Sequence, residues 1–353
     1  VRPSSIDRSH PTFGSTLPAG YLMPQLTDFD ADGVAEVAAM VYGEALGGYG
    51  ATTFFAWPGS TPAHTTARLF IPWGVSDLDG DGRQELMAVD ARRVRLLEPT
   101  GAAQFPSRVA WEMRDVWGGE VSDADGDGRP EMFLRSAAAE LFRVFEARGD
   151  DDYVETAALV NDTPGENELG TRQVAADLDG DGRGDLFSGD SDGDLIVFEA
   201  AADDAYRPVW RAIEEEDFVD GRLVGGGADL DGDGDPEFIG GRLRRDPFDV
   251  EGRQWSLTVY GAAGDDDYDV EWRGQVLAGS SRGAGISMAD LDGDGGLEWI
   301  VVVVPHLYVL CANDSTGGYE VIWHAEVRDT QRPAVGDADG DGRAELFYND
   351  GGG

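Results

Sequence analysis

Asp177-Leu-Asp179-Gly-Asp181-Gly182-Arg183-Gly184-Asp185 places three carboxylates at alternate positions, a glycine at the sixth and a fourth carboxylate at the ninth. A tight turn of this kind aims three carboxylates and a backbone carbonyl inward, the oxygen-only donor set that a hard cation such as calcium takes. The glycine permits the sharp bend. The pattern recurs from Asp28, Asp77, Asp123, Asp229, Asp290 and Asp337, always with Asp at positions one, three and five, Gly at six and an acid at nine. An EF-hand loop needs a bidentate Glu at position twelve, where these turns hold Ala39, Ala88, Leu134, Ser188, Gly240, Val301 and Tyr348, so they are not EF-hands. The runs that follow, such as Leu86-Met87-Ala88-Val89 and Trp299-Ile300-Val301-Val302, are too short and unperiodic for a helix. The unit reads as strand, metal turn, strand.

Successive turns start 49, 46, 54, 52, 61 and 47 residues apart, a period at which repeats mean propeller blades or solenoid turns. Each interval accommodates four short strands. In the unit around Asp177, Gln173-Val-Ala-Ala is strand A, Leu186-Phe187 strand B, Leu195-Ile-Val-Phe198 strand C, and Tyr206 to Ala212 strand D. The last strand repeats a Tyr and a Trp four residues apart, at Tyr206 and Trp210, Tyr268 and Trp272, and Tyr319 and Trp323, with Ala157 in the Trp place after Tyr153. Such a pair is expected on one face of the strand, packed between neighbouring blades. The chain ends after strands A and B of the seventh repeat, while residues 1–17 precede any turn. The expectation is therefore one all-β domain over 1–353, a seven-bladed ring of four-stranded antiparallel blades. Val1 to Ile6 and Thr12 to Leu17 would supply strands C and D of the last blade, removing exposed edges. The long fifth interval carries Arg242 to Gln254, expected as a protruding loop.

The formal charge is −42, from 69 acidic residues against 27 basic ones, all Arg. Seven bound Ca2+ would leave it strongly negative, which excludes a nucleic-acid binder and disfavours anionic membranes. No apolar run approaches the roughly 20 residues of a membrane-crossing helix. Cys311 is the single cysteine, so no intrachain disulfide forms, and its apolar surroundings predict a small core residue. Calcium would take the place of disulfides, as suits an extracellular or cell-surface setting; the chain starts at Val1 without a leader, so export is an inference.

A four-strand repeat whose first turn reads D-x-D-x-D-G-x-x-D/E resembles the FG-GAP or VCBS repeat family, the blades of integrin-alpha-like β-propellers. The likeness covers essentially the whole chain, although the Phe-Gly dipeptide is absent before most turns and strand A starts with segments such as Trp73-Gly74-Val and Trp117-Gly118-Gly. The resemblance implies a structural Ca2+ in each turn, up to seven in all. The first site would use Asp28, Asp30, Asp32 and Glu36 with the Val34 carbonyl, and the second Asp77, Asp79, Asp81 and Glu85 with that of Arg83. The third would use Asp123, Asp125, Asp127, Glu131 and Arg129, and the fourth Asp177, Asp179, Asp181, Asp185 and Arg183. Asp229, Asp231, Asp233, Glu237 and Asp235 would form the fifth, and Asp290, Asp292, Asp294, Glu298 and Gly296 the sixth. The seventh would use Asp337, Asp339, Asp341, Glu345 and Arg343, the residue at position seven offering its carbonyl throughout. At a dissociation constant of roughly 0.1 mM and about 1 mM calcium, each ion adds about 1.4 kcal/mol, and seven approach the stability of an ordinary domain.

Four protein carboxylates leave a calcium ion little room for a reactive water, so the sites read as structural. His10, His64, His306 and His324 are scattered, and no Lys is present. The Arg-Gly-Asp triplets at 148–150 and 183–185 are chance products of an Arg-, Gly- and Asp-rich chain. The resemblance implies a non-catalytic binding or adhesion module for a glycan or protein. The alternatives are a calcium-dependent polysaccharide lyase-like propeller and a structural subunit of a surface assembly; fold alone does not choose among them.

Overall fold

The computed structural model describes residues 21–30, 32–43, 48–56, 62–66, 70–90, 92–101, 104–213, 218–244, 254–277, 284–313, 317–327, 333–337 and 343–348. Among them are 26 strands and no helix, ordered along the chain as successive antiparallel sheets. The first sheet holds β1 (Tyr21–Thr27), β2 (Glu36–Gly43), β3 (Gly48–Ala56) and β4 (Pro62–Thr65); the second holds β5 (Ile71–Ser76), β6 (Glu85–Val89), β7 (Arg93–Glu98) and β8 (Arg108–Arg114). The third contains β9 (Val116–Ser122), β10 (Glu131–Ser136), β11 (Leu141–Gly149) and β12 (Asp152–Val160). In the fourth are β13 (Val174–Ala176), β14 (Asp185–Gly189), β15 (Leu195–Ala202) and β16 (Ala205–Ala212). The fifth is β17 (Phe218–Ala228), β18 (Glu237–Arg244), β19 (Gln254–Gly264) and β20 (Asp267–Leu277), and the sixth β21 (Ala284–Ala289), β22 (Glu298–Val303), β23 (His306–Asn313) and β24 (Gly318–Glu326). A last sheet pairs β25 (Ala334–Gly336) with β26 (Glu345–Phe347).

This is a β-propeller. The first strand of each sheet lies against the first strand of the next, and β25 touches both β21 and β1. The strands assigned from sequence around Asp177 correspond to β13 to β16. Seven four-stranded blades were expected, and six are present; the seventh sheet has two strands among the described residues. The segments expected to complete it, within residues 1–17, lie outside the described residues.

The core is divided among the interfaces between sheets. One cluster joins Leu257 and Val259 of the fifth blade to Trp299 and Val301 of the sixth. Another joins Phe187 and Val197 of the fourth to Phe238 and Tyr260 of the fifth. Val37 and Phe55 of the first blade meet Ala334 and Phe347 of the two-stranded sheet. The second strands β6, β14 and β22 are buried along their whole length, because both of their faces pack on neighbouring sheets. That is why they read as continuous apolar runs rather than alternating ones. Cys311 is buried as expected.

The outer strands correct one expectation. Tyr206 packs edge-on against Phe133 of the preceding blade, whereas Trp210 packs against Tyr268 of the following one. Trp272 likewise faces forward to Tyr319. The two residues of each pair therefore lie on opposite faces. A β-bulge between them is the cause: Val197 pairs with Trp210 and Phe198 with Pro208, so Val209 is extra, and β20 and β24 repeat the shift. One inserted residue reverses the alternation of faces. Packing between blades holds, as does the reading of these aromatics as core.

The segment Arg242 to Gln254 is also corrected at its ends. Arg242, Leu243 and Arg244 continue β18, and Gln254 opens β19, because the buried Arg242 guanidinium donates to the Gly193 carbonyl at 2.7 Å and holds the strand down. Residues 245–253 lie outside the described residues.

Phe238 is fully buried between blades, with ring centroids 4.6 Å from Phe187 and 4.9 Å from Tyr268. Phe238→Ala is expected to cost about 3–5 kcal/mol, read from the urea midpoint in saturating calcium. A loss below about 1 kcal/mol would contradict an interface-divided core.

Candidate functional site

Each turn joins the first strand of a sheet to its buried second strand, so all of them lie on one face of the ring. The folding of the turn follows from its own side chains. The carboxylate at position one accepts the backbone N–H of the sixth residue, as Asp177 does from Gly182 at 2.9 Å and Asp290 from Gly295 at 2.9 Å. Position five accepts from position seven, with Asp32, Asp81, Asp127, Asp181 and Asp294 each 2.8 Å from the N–H of Val34, Arg83, Arg129, Arg183 and Gly296. Asp233 accepts from Asp235 at 3.0 Å. The glycine at position six has positive φ, +92° at Gly182, with open space where a Cβ would stand, so conformation rather than room demands it.

The ninth residue links turn to core. Glu36, Glu85, Glu131, Asp185, Glu237 and Glu298 open their second strands and are 0–2% exposed. One oxygen of each accepts the N–H of position two, from Phe29, Leu78, Ala124, Leu178, Leu230 and Leu291, at 2.6 to 2.9 Å. Those position-two side chains are themselves buried. The other oxygen of Glu85, Glu131, Asp185, Glu237 and Glu298 is buried without a hydrogen-bond partner.

One oxygen each from Asp28, Asp30, Asp32 and Glu36 lies within 4.8 Å of the others, and the same holds for Asp123, Asp125, Asp127 and Glu131 and for Asp229, Asp231, Asp233 and Glu237. Two oxygens on one calcium can stand at most about 5 Å apart, so these sets fit. Asp77, Asp79 and Asp81 converge similarly, and the fourth and sixth turns, with Asp179 and Asp292 at position three, repeat the hydrogen-bond pattern. Of the seventh, Asp337, Arg343 and Glu345 are described, with Glu345 buried, while Asp339 and Asp341 lie outside the described residues.

Burial pushes the ninth carboxyl up, to about 7 in Glu36, Glu131, Asp185 and Glu298 and to about 8 in Glu85 and Glu237. The position-two N–H opposes this, and the neighbouring Asp charges add to it.

The sequence did not reveal that the turns lie at blade boundaries. The second oxygen of Asp79, Asp125 and Asp179 accepts the backbone N–H of Asp151, Asp204 and Asp266, at 2.9, 2.8 and 2.7 Å, from the outer hairpin of the following blade. The Tyr206 hydroxyl donates to Glu131 at 3.2 Å and that of Tyr268 to Asp185 at 3.2 Å, again from the next blade. A charge relay runs alongside. Arg183 pairs with Asp181 and with the buried Glu199; Arg207 then pairs with Glu199 and, at 2.9 Å, with Asp266. Arg83, Glu98, Arg108 and Asp151 repeat it.

The opposite face carries a second feature. Strand order places the starts of β9, β13 and β17 and the end of β10 away from the turns. There Trp73, Trp117, Arg135, Glu168, Arg172 and Arg222 surround a cavity of about 350 Å3, adjoining one of about 370 Å3 between the inner strands. Gly118 leaves room for the Trp73 indole, which donates to the Gly119 carbonyl at 3.0 Å. The histidines are less scattered than expected: His306 and His324 meet across β23 and β24 at 3.1 Å, because cross-strand neighbours are distant in sequence.

No protein-family model matches the chain, and no curated protein matches it. Solved structures do. The chain is similar to the Vibrio cholerae biofilm matrix protein Bap1 at 13% identity, covering 97% of this chain and 86% of that one with a TM-score of 0.51. It is similar to the periplasmic gluconolactonase PpgL of Pseudomonas aeruginosa at 17% identity, 87% and 86% coverage and TM-score 0.55. The β-propeller domain of Nup133 from Vanderwaltozyma polyspora gives 8% identity, 100% and 95% coverage and TM-score 0.51. At these identities the likeness shows the fold.

Two outcomes test the turns. A ninth carboxyl raised from its ordinary value of about 4 stabilises the ion-free fold below that value, and the contribution is lost as pH rises through about 7 to 8. The chelated protein is expected to melt at lower temperature as pH rises from about 5 to about 8, and about 1 mM Ca2+ to flatten or invert that slope. A chelated protein with a flat profile would count against carboxylate crowding. Separately, Asp125→Ala is expected to speed amide exchange at Asp204 and leave Asp266 unchanged; equal rates at Asp204 before and after substitution would remove the link between blades.

Proposed function

We propose that the protein is a calcium-stabilised, non-catalytic binding module that works outside the cell or at its surface, presenting a rigid propeller face to a glycan or protein. The observation that carries this reading is the buried, unpartnered carboxylate oxygen at position nine, repeated in five turns, with the carboxyl in the third and fifth converging with three further carboxylates. Leaving such an oxygen buried costs about 1–3 kcal/mol or more, which a bound cation offsets. A calcium ion supplies charge neutralisation there. The residues do the rest: position nine ties the site to the buried second strand, and position three holds the next blade. The same reading takes the ring as seven-bladed, its two-stranded sheet completed by the N-terminal residues; the packing of Ala334 and Phe347 against Val37 and Phe55 supports closure of the ring between that sheet and the first blade.

A display role is supported by the cavities on the other face, whose described linings combine Trp and Arg. Propellers of similar fold include a biofilm matrix protein and a gluconolactonase, so the architecture is compatible with binding and with catalysis, and the choice rests on the lining.

The test is a glycan and extracellular-protein array probed in about 1 mM Ca2+ and in chelator, with calorimetry of ion binding in parallel. Saturable binding to at least one arrayed ligand, together with a calcium-dependent rise in melting temperature, is expected. No thermal response to calcium would remove the ion from the reading, and release of unsaturated products from uronic-acid polymers would replace binding by catalysis.

A further inference from the structure

We propose that the cavity bounded by Trp73, Trp117, Arg135, Arg172 and Arg222 binds a carboxylate carried on a sugar-sized ring, and that Glu168 occupies the carboxylate position in the free protein. This deepens the binding-module reading and rests on it.

The chain carries 27 Arg against 69 acids, yet three guanidiniums converge on this one cavity. They arrive from different elements: Arg135 from the end of β10, Arg172 from the connection before β13, Arg222 from β17. Two are set by indoles, with the Arg135 guanidinium carbon 5.6 Å from the Trp117 ring centre and that of Arg172 5.5 Å from Trp73. Cation–π contact of this kind fixes the guanidinium plane without neutralising its charge. Arg222 is held in a fork by Asp220 at 2.9 and 3.1 Å.

Glu168 is what Arg135, and more distantly Arg222, binds at present. The Arg135 side chain, 12% exposed, donates from its Nη1 to Glu168 Oε1 at 2.5 Å and to the Leu169 carbonyl at 3.1 Å, while its Nε is buried without a partner. Arg222 Nη1 reaches the same Glu168 oxygen at 3.5 Å. Arg135, and after it Arg222, holds the Glu168 carboxyl below the usual range. The Glu168 side chain is nevertheless 59% exposed, on the connection between β12 and β13. With its carboxylate in solvent the pair is weakly held on that side, so a ligand carboxylate that also fills the cavity can displace it. The Nη1 donor that Glu168 vacates then gives the ligand carboxylate a charge-assisted hydrogen bond.

The remaining wall selects what carries the carboxylate. The half-buried Trp73 and Trp117 supply apolar surface, and about 350 Å3 lies at the lower end of ordinary ligand sites, enough for one ring. A small saturated ring with an apolar face and one carboxylate, a hexuronate being the simplest case, matches charge, volume and lining together.

Titration calorimetry of the whole chain in calcium with D-glucuronate, D-glucose and D-glucose 6-phosphate is the test. Glucuronate is expected to bind at least about tenfold more tightly than glucose, and more tightly than the phosphate. Glu168→Gln, which removes the internal competitor from an exposed position, is expected to tighten glucuronate binding about two- to fivefold. Arg135→Lys, which keeps the charge but loses the planar guanidinium over Trp117, is expected to weaken it about tenfold at an unchanged melting temperature. Should Arg135→Lys unfold the chain, Glu168→Gln decides alone. Equal binding of glucose, preference for the phosphate, or an affinity that Glu168→Gln leaves unchanged or lowers would overturn the proposal. Array binding that survives any of those results would leave the module reading standing and reject only this site.

Discussion

Everything in this molecule depends on what the ninth carboxylate of each turn is made to do. In six turns it opens a buried second strand and holds the position-two N–H with one oxygen, and in the first, third and fifth its carboxyl converges with three further carboxylates. Like charges at such separations repel by several kcal/mol at an effective dielectric of about 20, and desolvation adds to the cost. The fold tolerates this because the acid is either protonated or countered by a cation. Burial favours the first option by lifting these groups to about 7 to 8; a bound cation, as proposed, would supply the second at neutral pH.

The ring itself is stabilised pairwise. Its apolar clusters lie between blades, so each sheet depends on two neighbours and none has a private core. On the turn face the same neighbours are joined by polar contacts. Position three of one turn receives the hairpin N–H of the next blade, and a tyrosine hydroxyl from that blade reaches position nine. An ion that orders one turn therefore orders the edge of the following blade, which makes ion binding a property of interfaces. The relay through the buried Glu98 and Glu199 extends this outward, and its buried carboxylates make it worth more than an exposed ion pair.

What was legible in the sequence was whatever nine consecutive residues contain. The turn, its glycine, the strand on either side and the fourfold subdivision around Asp177 all follow from local spacing. The apolar position two, filled by Phe29, Leu78, Leu178, Leu230 and Leu291, was equally visible and signals that the turn is anchored in the core. The Tyr and Trp spacing misled about faces, because a bulge leaves no mark in composition and one extra residue reverses the alternation. The cavity was not legible: Trp73 comes from the second blade, Trp117 and Arg135 from the third and Arg222 from the fifth, and only the packing of neighbouring inner strands brings them together. Its one local trace is the Trp-Gly start of two inner strands, where Gly118 makes way for an indole.

The two faces are also coupled through charge, without any moving part. The turns concentrate carboxylates on one side while three guanidiniums gather on the other, so the chain is polarised across its thickness. With a formal charge of −42, the long-range field of the ion-free protein repels the anion that the arginine cavity is built to hold. Each divalent ion removes two negative charges from that field. At about 0.1 M salt the Debye length is near 10 Å, so the turns act weakly on the far mouth, and the local guanidiniums dominate its affinity. At low ionic strength the field reaches further, and ion loading raises the rate at which anions arrive more than the strength with which they stay. Calcium bound as proposed would serve the opposite face in two separable ways, by fixing the blades whose edges frame the cavity and by lowering the charge an anion must approach.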